Sequence, residues 1–292
     1  MDWKPAAWFG LRSSGYYSNR QYQTYDYNAN VASIQFPGRG PTDTWFVNPA
    51  YRQMMTDNRE RWKANFAVDF VAVKNLTISP TFKYQDDYYG LNPANQLGLT
   101  DSRSWSGGID ATYIFQPGTS IMLGYMREYY TLLAYNINAT TNNSVPGPLN
   151  EQTNDRTVVD TFTAVGRLAA IPDKLDLMLG YTASRGVDRT NLNLVSGVAP
   201  AGGQFPDVST WFQRLDASAE YRFDRSVTAQ LGAKGELKAK LHYAWERNSV
   251  ANWANDPLAP FTSAVSTTAI WLAGNDPNYN VHLLTASLAY KW

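Results

Sequence analysis

The feature that most restricts this 292-residue chain is a strict alternation of side-chain character, repeated in one segment after another. From Trp62 the even positions read Trp62, Ala64, Phe66, Val68, Phe70 and Ala72, and the odd ones begin Lys63, Asn65, Ala67 and Asp69. A period of two puts successive side chains on opposite faces of a β-strand, so one face meets an apolar medium and the other a wet one. After Lys74 and Asn75 the pattern returns as Leu76, Ile78, Pro80, Phe82 and Tyr84 against Thr77, Ser79, Thr81, Lys83 and Gln85, which makes a hairpin. Pro80 has no N–H for a ladder and is expected at a sheet edge. The scheme recurs in 105–115 with 120–129, in 157–169 with 175–185, in 211–223 with 237–245, and in a last segment, 284–292. The phase of 157–169 is ambiguous, because Asp160 shares parity with Phe162 and Leu168.

The connectors are sorted as regularly as the side chains. Short connections at 74–75, 116–119 and 171–173, and a somewhat longer one at 224–235, alternate with long ones at 86–103, 130–156, 186–209 and 248–278 that are rich in Asn, Pro, Gly, Ser and Thr. A globular sandwich has no reason to sort its loops, whereas an outer-membrane barrel has short periplasmic turns at one rim and long external loops at the other. No run approaches the ~18 apolar residues of a spanning helix, and the mean hydropathy is −0.40. Hydrocarbon offers no water to peptide groups, so the remaining way to cross a bilayer is a closed β-barrel. Only 17% of residues are charged while 14% are aromatic, which suits a surface covered by lipid rather than water.

The expected fold is therefore all-β, an antiparallel transmembrane β-barrel or barrel segment forming a single domain over 1–292. Nine strands can be counted from Glu60, and an even-stranded barrel asks the first 59 residues for an odd number more. The stretches 6–17 and 21–35 are the candidates, for ten to twelve strands in all. A strand that enters a short turn runs toward the periplasm. Trp62, Tyr84, Trp105, Tyr181, Trp211 and Trp245 then form an external aromatic girdle, and Phe115, Phe223 and Trp292 a periplasmic one. The opposite phase carries Lys63, Asp69, Lys83, Asp110, Asp176, Arg214, Asp216, Glu220, Arg222, Lys238, Lys240 and His242. These are expected to line the lumen, where alternating signs favour cross-strand ion pairs over strong ion selectivity.

Catalytic chemistry finds little to work with. Cysteine is absent, which removes disulfides, thiolate metal sites and the C-x-x-C-H attachment of c-type haem. No G-x-S-x-G, H-E-x-x-H, P-loop or Rossmann glycine pattern occurs. His242 and His282 are the only imidazoles. His242 shares a face with Lys238 and Lys240, and His282 falls near the external rim, so polar lining explains both more simply than a ligand or general-base role. Asp86 and Asp87 sit in the 86–103 connector, where a solvated loop is a simpler reading than a calcium cage. The tract from Trp245 to Trp253 reads as a rim anchor rather than a docking motif. Basic and acidic residues number 25 each, so no global field draws nucleic acid. An enzyme, a bound metal and a directly bound cofactor are not expected.

Four phrases go beyond a generic barrel: Tyr51-Arg52-Gln53-Met54-Met55-Thr56-Asp57-Asn58-Arg59-Glu60-Arg61, Tyr84-Gln85-Asp86-Asp87-Tyr88-Tyr89-Gly90, Leu241-His242-Tyr243-Ala244-Trp245-Glu246-Arg247-Asn248, and Asn275-Asp276-Pro277-Asn278-Tyr279-Asn280-Val281-His282 on to Trp292. From about Trp45 onward the chain resembles the C-terminal part of the MtrB/PioB family. The resemblance implies an outer-membrane barrel that sheathes a multihaem c-type cytochrome and lets electrons cross the envelope, the haem being carried by the partner. A general diffusion porin is the alternative. The family's barrels have some two dozen strands and a lumen wide enough for a protein, whereas ten to twelve strands leave a lumen mostly filled by side chains. Either this is the C-terminal part of a longer product, in keeping with the missing apolar leader and the missing family cysteines, or it is a reduced relative acting as a narrow pore or anchor.

Overall fold

The computed structural model describes residues 1–21, 57–90, 98–137, 150–194, 205–224, 226, 235–255 and 276–291. Eleven antiparallel strands lie side by side in chain order: β1 Asp2–Ala6, β2 Phe9–Arg20, β3 Arg59–Val73, β4 Leu76–Tyr88, β5 Gly98–Gln116, β6 Thr119–Ile137, β7 Asn150–Ile171, β8 Leu175–Leu194, β9 Val208–Arg222, β10 Glu236–Ala251 and β11 Tyr279–Lys291. One 3-10 turn, Trp253–Asn255, follows β10. Each strand bonds only to its sequence neighbours, and β1 and β11 do not pair with each other among the described residues.

Among the described residues nothing packs against either face of this sheet. Among the described residues the only buried hydrophobic side chains are Tyr89 and Ala244, while Phe66, Phe82, Ile109, Leu123, Phe162, Leu179, Leu241 and Leu288 are all exposed. A soluble sandwich would bury one inner face against a second layer. The described residues form no second layer, so the apolar face needs a medium rather than a partner sheet.

The tight turns follow from residues that tolerate positive φ. Asn75 (φ 72°), Gly118 (φ 78°) and Asp173 (φ 61°) close the β3–β4, β5–β6 and β7–β8 hairpins, and the left-handed region is open to Gly and, among other residues, chiefly to Asn and Asp. Pro80 lies in a central strand and not at an edge. It faces Ile109 of β5, while on the β3 side the regular pairing runs from Ala67↔Thr81 directly to Phe70↔Ile78. The ladder is interrupted where the donor is missing, and Ser79 Oγ donates instead to Asp69 Oδ1 at 2.9 Å.

Several boundaries differ from the sequence pattern. The 6–17 segment is split by a turn at Ala7 and Trp8, so two strands precede β3, one of only five residues; the 21–35 candidate lies outside the described residues beyond Gln21. Strands β6, β7 and β8 run to 19, 22 and 20 residues, well into the connectors 130–156 and 186–209. In the β7 part, Gln152-Thr153-Asn154-Asp155-Arg156, both faces are polar, and in the β6 part the adjacent Leu132 and Leu133 are apolar on both, so no alternation marks either stretch. Asp86 and Asp87 belong to β4 rather than to a loop.

Candidate functional site

Cross-strand register fixes which side chains share a face. All twelve charged or imidazole residues assigned by parity, Lys63, Asp69, Lys83, Asp110, Asp176, Arg214, Asp216, Glu220, Arg222, Lys238, Lys240 and His242, fall on one side of the sheet, through pairs such as Ser79↔Asp110, Asp176↔Glu220, Lys240↔Glu220 and Ser218↔His242. Trp62, Tyr84, Trp105, Tyr181, Trp211 and Trp245 fall on the other. Phe115 contacts Tyr113 and Phe223 contacts Tyr221, edge to face. Trp292 lies outside the described residues.

The polar face is held by ion pairs. Arg61 grips Asp87 through both Nε and a terminal nitrogen at 2.5 Å, with Gln85 Nε2 donating to the same carboxylate at 3.0 Å; the Asp87 side chain is 4% exposed. Arg12 meets Asp69 at 3.0 Å. Arg214 bridges Asp216 at 2.7 Å and Glu246 at 3.4 Å, and Arg222 meets Asp176 at 2.5 Å. His242 Nε2 lies 3.1 Å from Asp216 Oδ1. The register also sets Ser218 opposite His242, a neighbour the sequence did not reveal, but no hydrogen bond joins them among the described residues. No group of three His, Cys, Asp or Glu residues there could hold a metal ion. Asp86 turns to the apolar side and meets Arg103 at 3.2 Å. The Asp86–Asp87 pair is thus split between the two faces and forms no calcium cage.

The apolar face has a level. Trp62 and Trp105 lie eleven residues from the ends of their strands at the short turns, Tyr129 ten and Trp245 nine; at 3.3 Å per residue and a tilt of 35–45°, ten residues rise about 25 Å, the height of a barrel's apolar band. Trp105 stacks on Tyr129 with centroids 5.7 Å apart. Tyr181, six residues beyond Leu175, sits lower, opposite Leu215.

Where β7 and β8 reach the girdle level, the aromatics give way to charge. Asp160, Arg127 and Arg185 are cross-strand partners in one row, with Trp211 beyond. Asp160 therefore points to the apolar side, which resolves its phase. One same-face step outward lie Val158 and Val187, and a second step out lie Arg156 and Arg189. With Val158 and Val187 these residues line a concavity of about 330 Å³. Parity with Tyr125 and Leu179 already put Arg127 and Arg185 on this face, a signal available in the sequence but spread over three strands.

Beyond the spanning strands, two pairs have altered protonation. The Arg189 guanidinium holds the Asp207 carboxyl below the usual carboxylate range at the loop rim. At the opposite end, the hydrogen bond to Asp224 holds the Lys174 ammonium above its ordinary value.

The family model "Putative outer membrane beta-barrel porin, MtrB/PioB" matches residues 1–292, the whole chain. The chain belongs to the MtrB/PioB family. The match also takes in residues ahead of Trp45, where the sequence phrases gave no resemblance. No curated protein sequence matches. Among solved structures, "Copper transporter OprC" superposes with a TM-score of 0.52 at 13% identity, over 97% of this chain and 38% of that one. The "Structure of the FpvAI-pyocin S2 complex" gives a TM-score of 0.40 at 12% identity, over 67% of this chain and 30% of that one. The first likeness shows the fold alone, and the chain spans about two fifths of the transporter's length. As a member of the MtrB/PioB family the protein is an outer-membrane β-barrel, all-β and antiparallel.

Proposed function

We propose that this sheet is the wall of an extracellular electron-transfer conduit, sheathing and positioning a multihaem c-type cytochrome that carries all the haem. The single observation behind this reading is a sheet one strand thick with one greasy face and one polar face whose charges largely neutralise one another. The polar face lines the lumen. Arg61–Asp87, Arg214–Asp216 and Arg222–Asp176 leave it with no ring of one sign, which suits a passive sleeve better than an ion-selective filter. Strands β1 and β11 carry ladder edges that hydrocarbon does not tolerate, so in the membrane the wall closes. A lumen that admits a protein takes more strands than the eleven described. The barrel insulates and seals; the partner's haems move the electrons. Purification from the native outer membrane tests the proposal. A haem-staining partner co-eluting in fixed ratio is expected, and a haem-free preparation overturns it.

A second reading, a general diffusion porin, is favoured by Lys63 and Lys83, which line a wet concavity of about 440 Å³ together with Asn65, Gln85 and Glu128. Steady ohmic current in planar bilayers, from protein free of cytochrome, supports the porin. Silence dismisses it.

A further inference from the structure

We propose that the outward arginine cluster of β6–β8 is a binding site for a phosphorylated glycolipid of the outer leaflet, the lipid A class, which takes its phosphates on Arg127, Arg156 and Arg185. The proposal rests on the apolar face meeting lipid, and not on the conduit reading.

Charge carries the first part of the argument. The concavity is lined by four arginines and one carboxylate. Asp160 is already engaged, accepting from Tyr125 Oη at 2.5 Å and lying 3.8 Å from Arg127 Nε. Arg189 is paired outward with Asp207 at 2.6 Å. Arg156 lies over the Tyr129 ring, 4.9 Å from its centroid, and neither Arg156 nor Arg185 has a carboxylate partner among the described residues. Positive charge thus stays uncompensated above the apolar part of this face. Guanidinium forks match phosphate oxygens in geometry as well as sign.

Position carries the second part. Arg127, eight residues beyond Thr119, and Arg185, ten beyond Leu175, stand at the girdle level on the loop side, where phosphates of the outer leaflet lie. Below them the same face holds a groove of about 550 Å³, floored by small side chains at Gly166, Ala217 and Ala219 between Leu168, Leu179 and Leu241. Leu179 is six residues below Arg185, a descent of about 15 Å along a tilted strand, or half the ~30 Å hydrocarbon. A phosphate pocket with an acyl groove beneath it fits an amphiphile and not a free anion.

The test uses the full-length barrel extracted from its native outer membrane. Native mass spectrometry should show bis-phosphorylated lipid A retained on the wild type, and about ten-fold less on R127Q/R156Q/R185Q. K238Q/K240Q, altered on the other face, should retain it like the wild type. Heat-modifiable gel migration confirms that each variant is folded. Enzymatic removal of the lipid phosphates, which leaves the protein untouched, should release the lipid from the wild type. Retention of dephosphorylated lipid A or of phosphatidylglycerol as strong as that of lipid A overturns the proposal. So does unchanged retention by the triple variant, or displacement by millimolar inorganic phosphate. Haem co-purification is a separate readout that these variants leave unchanged.

Discussion

The two faces of the sheet differ in how completely their arginines are paired. On the polar face Arg61, Arg214 and Arg222 each hold a carboxylate within hydrogen-bonding distance, and the Asp87 carboxylate is almost fully covered. The apolar face holds both kinds: Arg103 pairs with Asp86 and Asp101, Arg189 pairs with Asp207 and Arg127 shares Asp160 with a tyrosine, while Arg156 and Arg185 have no acidic partner among the described residues. Buried charge must be matched within the protein. Charge at a membrane interface can be matched by the medium, and an arginine there costs little. The unpaired Arg156 and Arg185 are therefore the arginines left for the medium to match.

The comparison can be broken by mutation, beginning with the largest effect. Arg61→Ala strands the covered Asp87 carboxylate and is expected to destabilise the barrel by about 3–5 kcal/mol, read as a lower urea midpoint in detergent or lipid; a loss below about 1 kcal/mol would show that water reaches Asp87. Leu179→Arg places a cation about 10 Å above the short-turn end of the apolar band and is expected to cost about 2–4 kcal/mol. Thr163→Arg, on the polar face, should cost far less, and equal costs would erase the difference between the faces. Arg185→Leu is expected to change stability by under about 1 kcal/mol, in contrast to Arg61→Ala.

The smallest effects concern pH at the two ends. Asp207 has a folded-state pKa below its unfolded value, so its pair with Arg189 contributes above the unfolded carboxylate value and is lost as pH falls through the depressed one. Lys174 has a raised folded-state pKa, so its pair with Asp224 is complete below the unfolded lysine value and is lost as pH rises through the raised one. Amide exchange should therefore speed up at the 205–208 rim only in strong acid and at the 172–175 turn only in strong base. The opposite assignment would contradict both pairs.

Much of this was legible along the chain. The nine strands from β3 onward, the hairpin turns and the division of twelve polar residues from six aromatics on the opposite face follow from odd and even positions, whereas the level of Tyr181, below the other rings, does not. Asp86 and Asp87 were misjudged because two adjacent carboxylates with tyrosines resemble a loop; in β4 they point to opposite faces, each toward its own arginine. The upper parts of β6 and β7 carry no alternation, because Gln152 to Arg156 is polar on both sides and Leu132 and Leu133 are apolar on both.

The sequence by itself determined that the chain forms strands with two unlike faces, because side-chain parity is a local property of an extended backbone. Only the tertiary structure decided which residues meet across strands. Arg127, Asp160 and Arg185 lie far apart in the chain and become neighbours through register, which is set by pairing between distant segments and by the lengths of the turns that join them.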